Sequence, residues 1–172
     1  MTTLDTAAPA TTAPPALLRE EHELPWVDLG DGIEIKVLQV DLDNGVWIVQ
    51  NRFAPGAVVQ THRHTGSVNA FTETGSWFYA EYPHEVNRPG SYLYEPAGST
   101  HTLTVPDTNT EPTLVWFVIH GANLNLAADG SVERIVDAQA VLTRYKQEIA
   151  ALGLPPVSVI GDPEATPVRL PA

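Results

Sequence analysis

The stretch GAVVQTHRHTG, residues 56–66, places two histidines one residue apart in a chain with only 6 histidines among its 172 residues. Its composition is typical of a β-strand that follows a Pro-Gly turn. Side chains alternate faces along a strand and each residue rises by about 3.3 Å, so His62 and His64 project to one side while Arg63 points away. Two such imidazoles can bind one cation through bonds of about 2.0 to 2.1 Å. An isolated pair is also compatible with a solvated strand face.

A second stretch, GSYLYEPAGSTH at residues 90–101, supplies a third histidine. It reads as a turn glycine, a strand, a Pro-x-Gly turn and then His101 at the start of another strand. With this third imidazole, the pattern favours a metal site over a solvated face. Whether His101 joins His62 and His64 at one metal ion depends on the fold.

The remainder of the chain predicts an all-β domain. From Trp26 onward, short β-type runs recur at intervals of roughly 8 to 12 residues, as in a sandwich or barrel. The runs are Ile33 to Leu42, Val46 to Phe53, Ala57 to His64, Asn69 to Glu73, Trp77 to Tyr82, Ser91 to Glu95, His101 to Val105, Thr113 to Ile119 and Val132 to Ile135. Asn44-Gly45 predicts a type I′ hairpin turn, which needs positive φ at both central residues.

One helix and two extended ends complete the predicted organisation. Asp137 can cap a helix whose apolar residues recur at the helical period and which ends at Gly153. We expect this helix to pack over the barrel mouth or to lie at a subunit contact. The predicted units are a flexible arm at residues 1–16, a β-barrel at 17–136, the helix at 137–153 and an extended Pro-rich tail at 154–172.

Composition excludes several classes of function. The formal charge of −12 repels phosphate backbones and anionic lipids, so we expect neither nucleic acid nor membrane partners. The sequence has no cysteine, which excludes disulfides, thiolate catalysis and sulfur-ligated zinc. No secretory leader or long apolar span is recognisable, so we expect a cytoplasmic protein.

The two stretches resemble the two conserved motifs of the cupins. In the first cupin motif a glycine precedes HxH by five residues, which Gly56, His62 and His64 match. The second motif runs Gly, five residues, Pro-x-Gly, two residues and His. Residues 90–101 match every named position of it, ending at His101. The resemblance covers roughly residues 26–120 and implies a double-stranded β-helix, or jelly-roll, barrel that holds a metal in its interior.

The departures from the cupin pattern predict the ligand set. The glutamate that usually follows HxH as a fourth ligand is replaced by Val68 or Asn69, and the asparagine that often closes the second motif by Val105. We therefore predict a site with three histidines. Three neutral imidazoles leave the ion its full 2+ charge, which favours anionic, chelating oxygen ligands.

Longer segments resemble a narrower group of cupins. The stretch FAPGAVVQTHRHTGSVNAFTETGSWFY is similar to dioxygenases that cleave 2,4′-dihydroxyacetophenone and, more distantly, to those that cleave acetylacetone. This resemblance implies a non-haem Fe(II) enzyme that cleaves a C–C bond next to a carbonyl with O₂ as co-substrate, giving a carboxylate and formate. It also suggests a homodimer or homotetramer.

Two further residues are candidates for roles at the site. Glu95 lies in an otherwise apolar strand, where a carboxylate is costly to bury unless it is hydrogen-bonded or protonated. We predict that Glu95 is a general base or a partner of a ligand imidazole; exposure at the strand end is the alternative. Tyr79 is predicted to bind substrate, with a core aromatic as the alternative. His120 is interpreted as a core residue or a donor behind the site. His22 and His84 are given no role.

Two other functions remain open at this level. A metallo-cupin can be an isomerase or hydrolase that uses Zn, Ni or Mn as a Lewis acid, because imidazole does not select one metal. It can also be a metal-dependent sensor, like the cupin half of some anti-sigma factors, although that class is expected to carry an effector domain. A small-molecule ketone is the expected substrate in the dioxygenase interpretation.

Overall fold

The computed structural model describes residues 16–165, which contain twelve β-strands and one α-helix. In chain order these are β1 (Val27–Gly30), β2 (Ile33–Asp41), β3 (Val46–Phe53), β4 (His62–His64), β5 (Val68–Thr74), β6 (Phe78–Tyr79), β7 (Tyr92–Glu95), β8 (Thr100–His101), β9 (Leu103–Thr104), β10 (Thr113–His120), β11 (Asn123–Leu126), β12 (Val132–Val136) and α1 (Ala138–Ala151). The expected all-β domain with one carboxy-terminal helix is confirmed. The predictions for residues 1–15 and 166–172 lie outside the described residues.

The strands form two main antiparallel sheets between which the chain alternates. The larger sheet has the order β1-β2-β3-β10-β5-β7 and the smaller has the order β12-β11-β4-β8, while β6 and β9 form a separate pair. The chain passes from β3 in the large sheet to β4 in the small one and back to β5, as in a jelly-roll barrel. Residues that are distant in sequence therefore meet in the barrel interior.

Strand β10 shows why these residues form a barrel wall. Its residues are alternately buried and more exposed, with Thr113, Val115, Phe117 and Ile119 buried. This is the period of two that a strand needs to place one face in the core. Strands β3 and β5 pair with β10 on its two sides, so the buried face continues across the sheet.

The hairpin turns differ from the prediction. Four residues, rather than two, separate β2 from β3, and Asn44 lacks the positive φ that a type I′ turn requires. The prediction for Asn44-Gly45 is therefore wrong. The Asp41 carboxylate accepts hydrogen bonds from the backbone and side chain of Asn44, which stabilises the wider turn. The two-residue turn with positive φ at both positions is Asp31-Gly32, between β1 and β2.

Helix α1 packs against the barrel it follows. The Asp137 side chain accepts a hydrogen bond of 2.8 Å from the Ala140 backbone at the helix amino terminus. The buried face of the helix includes Leu142 and Tyr145, and the helix contacts β1, β2 and β12. The Tyr145 hydroxyl donates a 2.6 Å hydrogen bond to the Pro25 carbonyl, which anchors the helix to the segment before β1. No helix within residues 16–165 is long and apolar enough to span a membrane.

The segment after the helix is held against β2. Val40 donates to the Ile160 carbonyl at 2.8 Å, and Ile160 donates to the Leu38 carbonyl at 3.1 Å. The buried Asp162 accepts a 2.9 Å hydrogen bond from Lys146 on α1. At Gly161, with φ of +82°, a Cβ atom would lie 1.8 Å from the Val40 carbonyl oxygen. Only glycine fits this approach.

Replacing Gly161 with alanine should lower the free energy of unfolding more than the same change at Gly130. Both glycines have φ above +80°, so both variants carry a backbone strain of about 1 to 2 kcal/mol. Gly130 has nothing within 4 Å of the added Cβ, whereas Gly161 meets the β2 backbone. We expect Gly161→Ala to cost about 1 to 3 kcal/mol more than Gly130→Ala in urea unfolding. Equal losses would contradict the close approach.

Candidate metal centre

Three buried histidines meet in the barrel interior. Along β4, His62 and His64 are buried while Arg63 is exposed, as the strand alternation predicts. His101 on the neighbouring strand β8 pairs directly with His62. The candidate ligand nitrogens of the three residues lie within 4.8 Å of one another. The structure thus brings together the three histidines that the sequence singled out.

The ring nitrogens are arranged as ligands of one ion. His64 Nε2 and His101 Nε2 are 2.9 Å apart, close to the separation of about 3.0 Å expected for two ligands at right angles on bonds of about 2.1 Å. His62 Nδ1 lies 2.8 Å from the Gln60 carbonyl oxygen. Donation of the Nδ1 proton to that carbonyl leaves the Nε2 lone pair free. Burial lowers the pKa of His62 to about 4, which keeps this imidazole neutral at physiological pH.

Glu95 brings a buried carboxylate to the same place. Its side chain is 3% exposed, and Oε2 lies 2.7 Å from His64 Nε2 and 3.1 Å from His101 Nε2. Burial alone would raise the pKa of Glu95, but the neighbouring His101 and His64 imidazoles outweigh it and hold the pKa below its usual range. Oε2 has no hydrogen-bond donor of regular geometry among the described residues. The predicted alternative, exposure of Glu95 at the strand end, does not occur.

Tyr79 links Glu95 to the third histidine. Its hydroxyl donates a hydrogen bond to Glu95 Oε1, and its ring stacks on His101 with centroids 3.8 Å apart and planes inclined by 9°. Burial first, and then the charge of Glu95, raises the pKa of the Tyr79 hydroxyl, so it remains a donor. Tyr79 therefore fixes both the carboxylate and the ring of His101.

A cavity of about 390 Å³ opens beside these residues, within the size range of small-molecule sites, about 300 to 1,000 Å³. His62, His64, Tyr79 and Glu95 contribute to its wall. Most of the remaining wall is apolar. It includes Ile35, Phe53, Leu103, Phe117 and Ile119. A small apolar molecule with one chelating end would fit this combination.

The other histidines lie outside the site. His120 is exposed at the end of β10, with Nδ1 3.3 Å from the Ser67 carbonyl oxygen, so its interpretation as a core residue or a donor behind the site is wrong. The alternating pattern of β10 places it on the outward face, which its position in the run already indicated. His22 and His84 are exposed on the surface.

Strand β11 was missed by the sequence analysis, although it forms part of the site. It pairs with β4, so that Asn123 lies opposite His64 and Asn125 opposite His62. Both asparagines line the cavity, and Asn123 Oδ1 is buried without a hydrogen-bond partner among residues 16–165. The signal was the alternation in the sequence NLNL, which is short and lacks β-branched residues.

The sequence matches a known protein family. Residues 15–123 match the family described as the ChrR Cupin-like domain. The chain belongs to this family of cupins. No curated protein matches it significantly.

Solved structures share the fold. A protein of unknown function with a cupin-like fold from Ralstonia eutropha is 31% identical, with a TM-score of 0.81, over 95% of this chain and 99% of the other. An acetylacetone dioxygenase from Acinetobacter johnsonii is 15% identical, with a TM-score of 0.68, over 84% of this chain and 99% of the other. At that identity the second likeness concerns the fold alone.

The residues present fit a divalent metal ion. Three imidazoles converge, and a buried carboxylate oxygen that has no regular donor within residues 16–165 lies next to two of them. A cation at the centre would bind the ring nitrogens and offset the buried negative charge. His62, His64 and His101 would hold this ion, while Glu95 and Tyr79 would lie beside it.

Replacing any one of His62, His64 and His101 with alanine should remove the bound metal. Loss of a residue behind a metal ligand already costs about 10- to 100-fold in affinity, so loss of a ligand should cost at least about 100-fold. His120→Ala is the matched control, because His120 is exposed outside the site. Metal analysis after dialysis should find the ion in the control only. Stoichiometric metal in a variant would remove that residue from the ligand set.

Proposed function

We propose that this protein is a non-haem Fe(II) dioxygenase that cleaves the C–C bond beside the carbonyl of an α-hydroxyketone such as 2,4′-dihydroxyacetophenone. The products would be a carboxylate and formate, so that both atoms of O₂ enter the products. The observation that carries the proposal is the convergence of three buried histidines, two of which, His62 and His64, line a mainly apolar cavity. The shared fold of a solved acetylacetone dioxygenase supports it.

The ligand set favours a chelating, anionic substrate. Three neutral imidazoles would leave a divalent ion its full charge, and an α-hydroxyketone that has lost its hydroxyl proton offers two adjacent oxygens to such an ion. Fe(II) bound there would supply Lewis acidity and a path for electrons from the deprotonated substrate to O₂. The apolar wall formed by Phe53, Leu103 and Phe117 would enclose the body of the substrate and exclude water.

Glu95 is the proposed proton acceptor. Its Oε1 is held by the Tyr79 hydroxyl, whereas its Oε2 has no regular donor and lies beside two candidate ligand nitrogens. A substrate bound at the histidines would therefore place its acidic hydroxyl near Oε2, which can take the proton. Tyr79 would orient the carboxylate and contribute to the substrate-binding wall.

Oxygen uptake provides the direct test. The protein is reconstituted with Fe(II) without air and then given oxygen with 2,4′-dihydroxyacetophenone, followed by other α-hydroxyketones and β-diketones. We expect one O₂ consumed per substrate, with a carboxylate and formate as products of the hydroxyketone. The His64→Ala variant, treated in the same way, is the control for free iron. Stoichiometric bound iron without uptake for any compound would reject the proposal and favour Lewis-acid chemistry with Zn, Ni or Mn.

Replacing Glu95 with glutamine should lower turnover without emptying the metal site. Glutamine preserves the size of the side chain and its contact with Tyr79, but it cannot accept the proton at neutral pH. We expect kcat to fall about 100-fold or more, within the range of general base catalysis, while metal content stays that of the unmodified protein. Glu85→Gln, in an exposed loop, removes the same charge as a control. An unchanged kcat in Glu95→Gln would end its assignment as the base.

A further inference from the structure

Two arginines lie on the wall of the cavity that His62 and His64 also line. Arg134 comes from β12 and Arg144 from α1. We propose that these guanidinium groups bind a carboxylate at the far end of the substrate, so that the substrate is an acidic ketone with an apolar middle. This inference rests on the proposed function for the ketone end and adds the chemical class of the other end.

Strand register places one arginine in line with the metal ligands. Across the small sheet, His101 pairs with His62, His62 pairs with Asn125, and Asn125 pairs with Arg134. Residues directly opposite each other in antiparallel strands project to the same face. Arg134 therefore belongs to the same row as two candidate ligands and lies at the solvent-exposed end of that row. With strands about 4.8 Å apart, its Cα lies roughly 10 Å from that of His62.

This separation limits the length of the substrate. Because both side chains project to the same face, their ends remain roughly 10 Å apart where each extends straight from the sheet. This separation suits one aromatic ring or a short chain between the ketone and the carboxylate. The cavity wall also includes Phe53, Val59 and Phe117, which match an apolar body of that kind.

The charge distribution supports an anionic end. The chain carries 21 acidic and 9 basic residues, and several of its cations are paired elsewhere. Arg52 is bound by Glu34, and Lys146 by Asp162 and Glu164. The exposed side chain of Arg134, in contrast, has no hydrogen-bond or ion-pair partner within residues 16–165. Two guanidinium groups on one cavity wall of so acidic a protein therefore favour an anionic ligand.

Arg144 is held at the cavity while keeping donors free. Its Nη2 donates to the Leu29 carbonyl at 3.3 Å, and its Nε lies 3.7 Å from Glu148. Nη1 remains for a ligand. The acidic residues in the cavity lining are Glu95, at the metal end, and Asp31, in the exposed turn between β1 and β2. Glu148 partly offsets the charge of Arg144, whereas no carboxylate pairs with the Arg134 side chain within residues 16–165, and the planar forks of both guanidinium groups suit a carboxylate ligand.

Binding to the zinc-loaded protein tests this inference without turnover. The probes are two 2-hydroxy-1-arylethanones, one with a para-carboxylate and the other with the neutral para-carboxamide, which has nearly the same shape. Calorimetry at low ionic strength should show the carboxylate binding at least about tenfold more tightly, since charge-assisted hydrogen bonds exceed neutral ones. The preference should shrink as salt is added, because the arginines lie toward solvent.

Matched variants test whether the preference for the carboxylate probe comes from Arg134 and Arg144. Arg134→Gln and Arg144→Gln should each reduce the carboxylate preference to about threefold or less, because binding of the carboxylate weakens more than binding of the carboxamide. Arg88→Gln removes the same charge from an exposed loop outside the cavity and should keep the full preference. Thermal melting of each variant checks its folding. Equal affinity for the two probes, no binding of either, or a preference that survives in both cavity variants would overturn the inference.

The outcomes separate this inference from the proposed function. Oxygen uptake with neutral hydroxyketones, together with equal affinity for the two probes, would overturn the acidic substrate and leave the dioxygenase proposal intact. A carboxylate preference that depends on Arg134, without uptake for any ketone, would reject the dioxygenase and keep the anion-binding end.

Discussion

The pairing of the three-residue strand β4 on both of its sides is the constraint on which the site depends. His62 and His64 face inward because the strand alternates its side chains, and pairing with β8 brings His101 opposite His62. Pairing with β11 on the other side closes the sheet and buries the row. Burying three imidazoles together removes their hydration, and a bound divalent cation would compensate for that loss.

The large sheet contributes Glu95 to the same cluster of side chains. Strand β7 is the edge of the large sheet and ends at Glu95, whose Oε2 meets the ring nitrogens of His64 and His101 from the small sheet. A buried carboxylate needs partners to offset its lost hydration. Tyr79 and the imidazoles provide them, so the chemistry of the site and the closure of the barrel rest on one set of contacts.

The carboxy-terminal helix α1 forms part of the cavity wall. Its buried face packs on β1, β2 and β12, which places Arg144 beside the wall to which β12 contributes Arg134. The segment that follows the helix is fixed to β2 through the close approach at Gly161. Strand β12 and helix α1 carry no recognisable motif, yet they position Arg134 and Arg144 relative to the candidate metal site.

The sequence by itself determined those features that depend on local pattern. Alternation located strands such as Val46–Phe53, the helical period and Asp137 located the helix, and the spacing of the two motifs selected the three histidines. Strand β11 escaped because four residues of the pattern NLNL carry too weak a period, and the turn at Asn44 was decided by the Asp41 side chain rather than by its own dipeptide.

Only the tertiary structure decided which residues share the cavity. Glu95 and Tyr79 are 16 residues apart and belong to different sheets, and Arg134 reaches the row of His62 through two intermediate strand pairings. Local sequence fixes the face toward which a side chain points, because the backbone period is local. Strand order and register fix its neighbours, and these follow from how all the strands bury their apolar faces together.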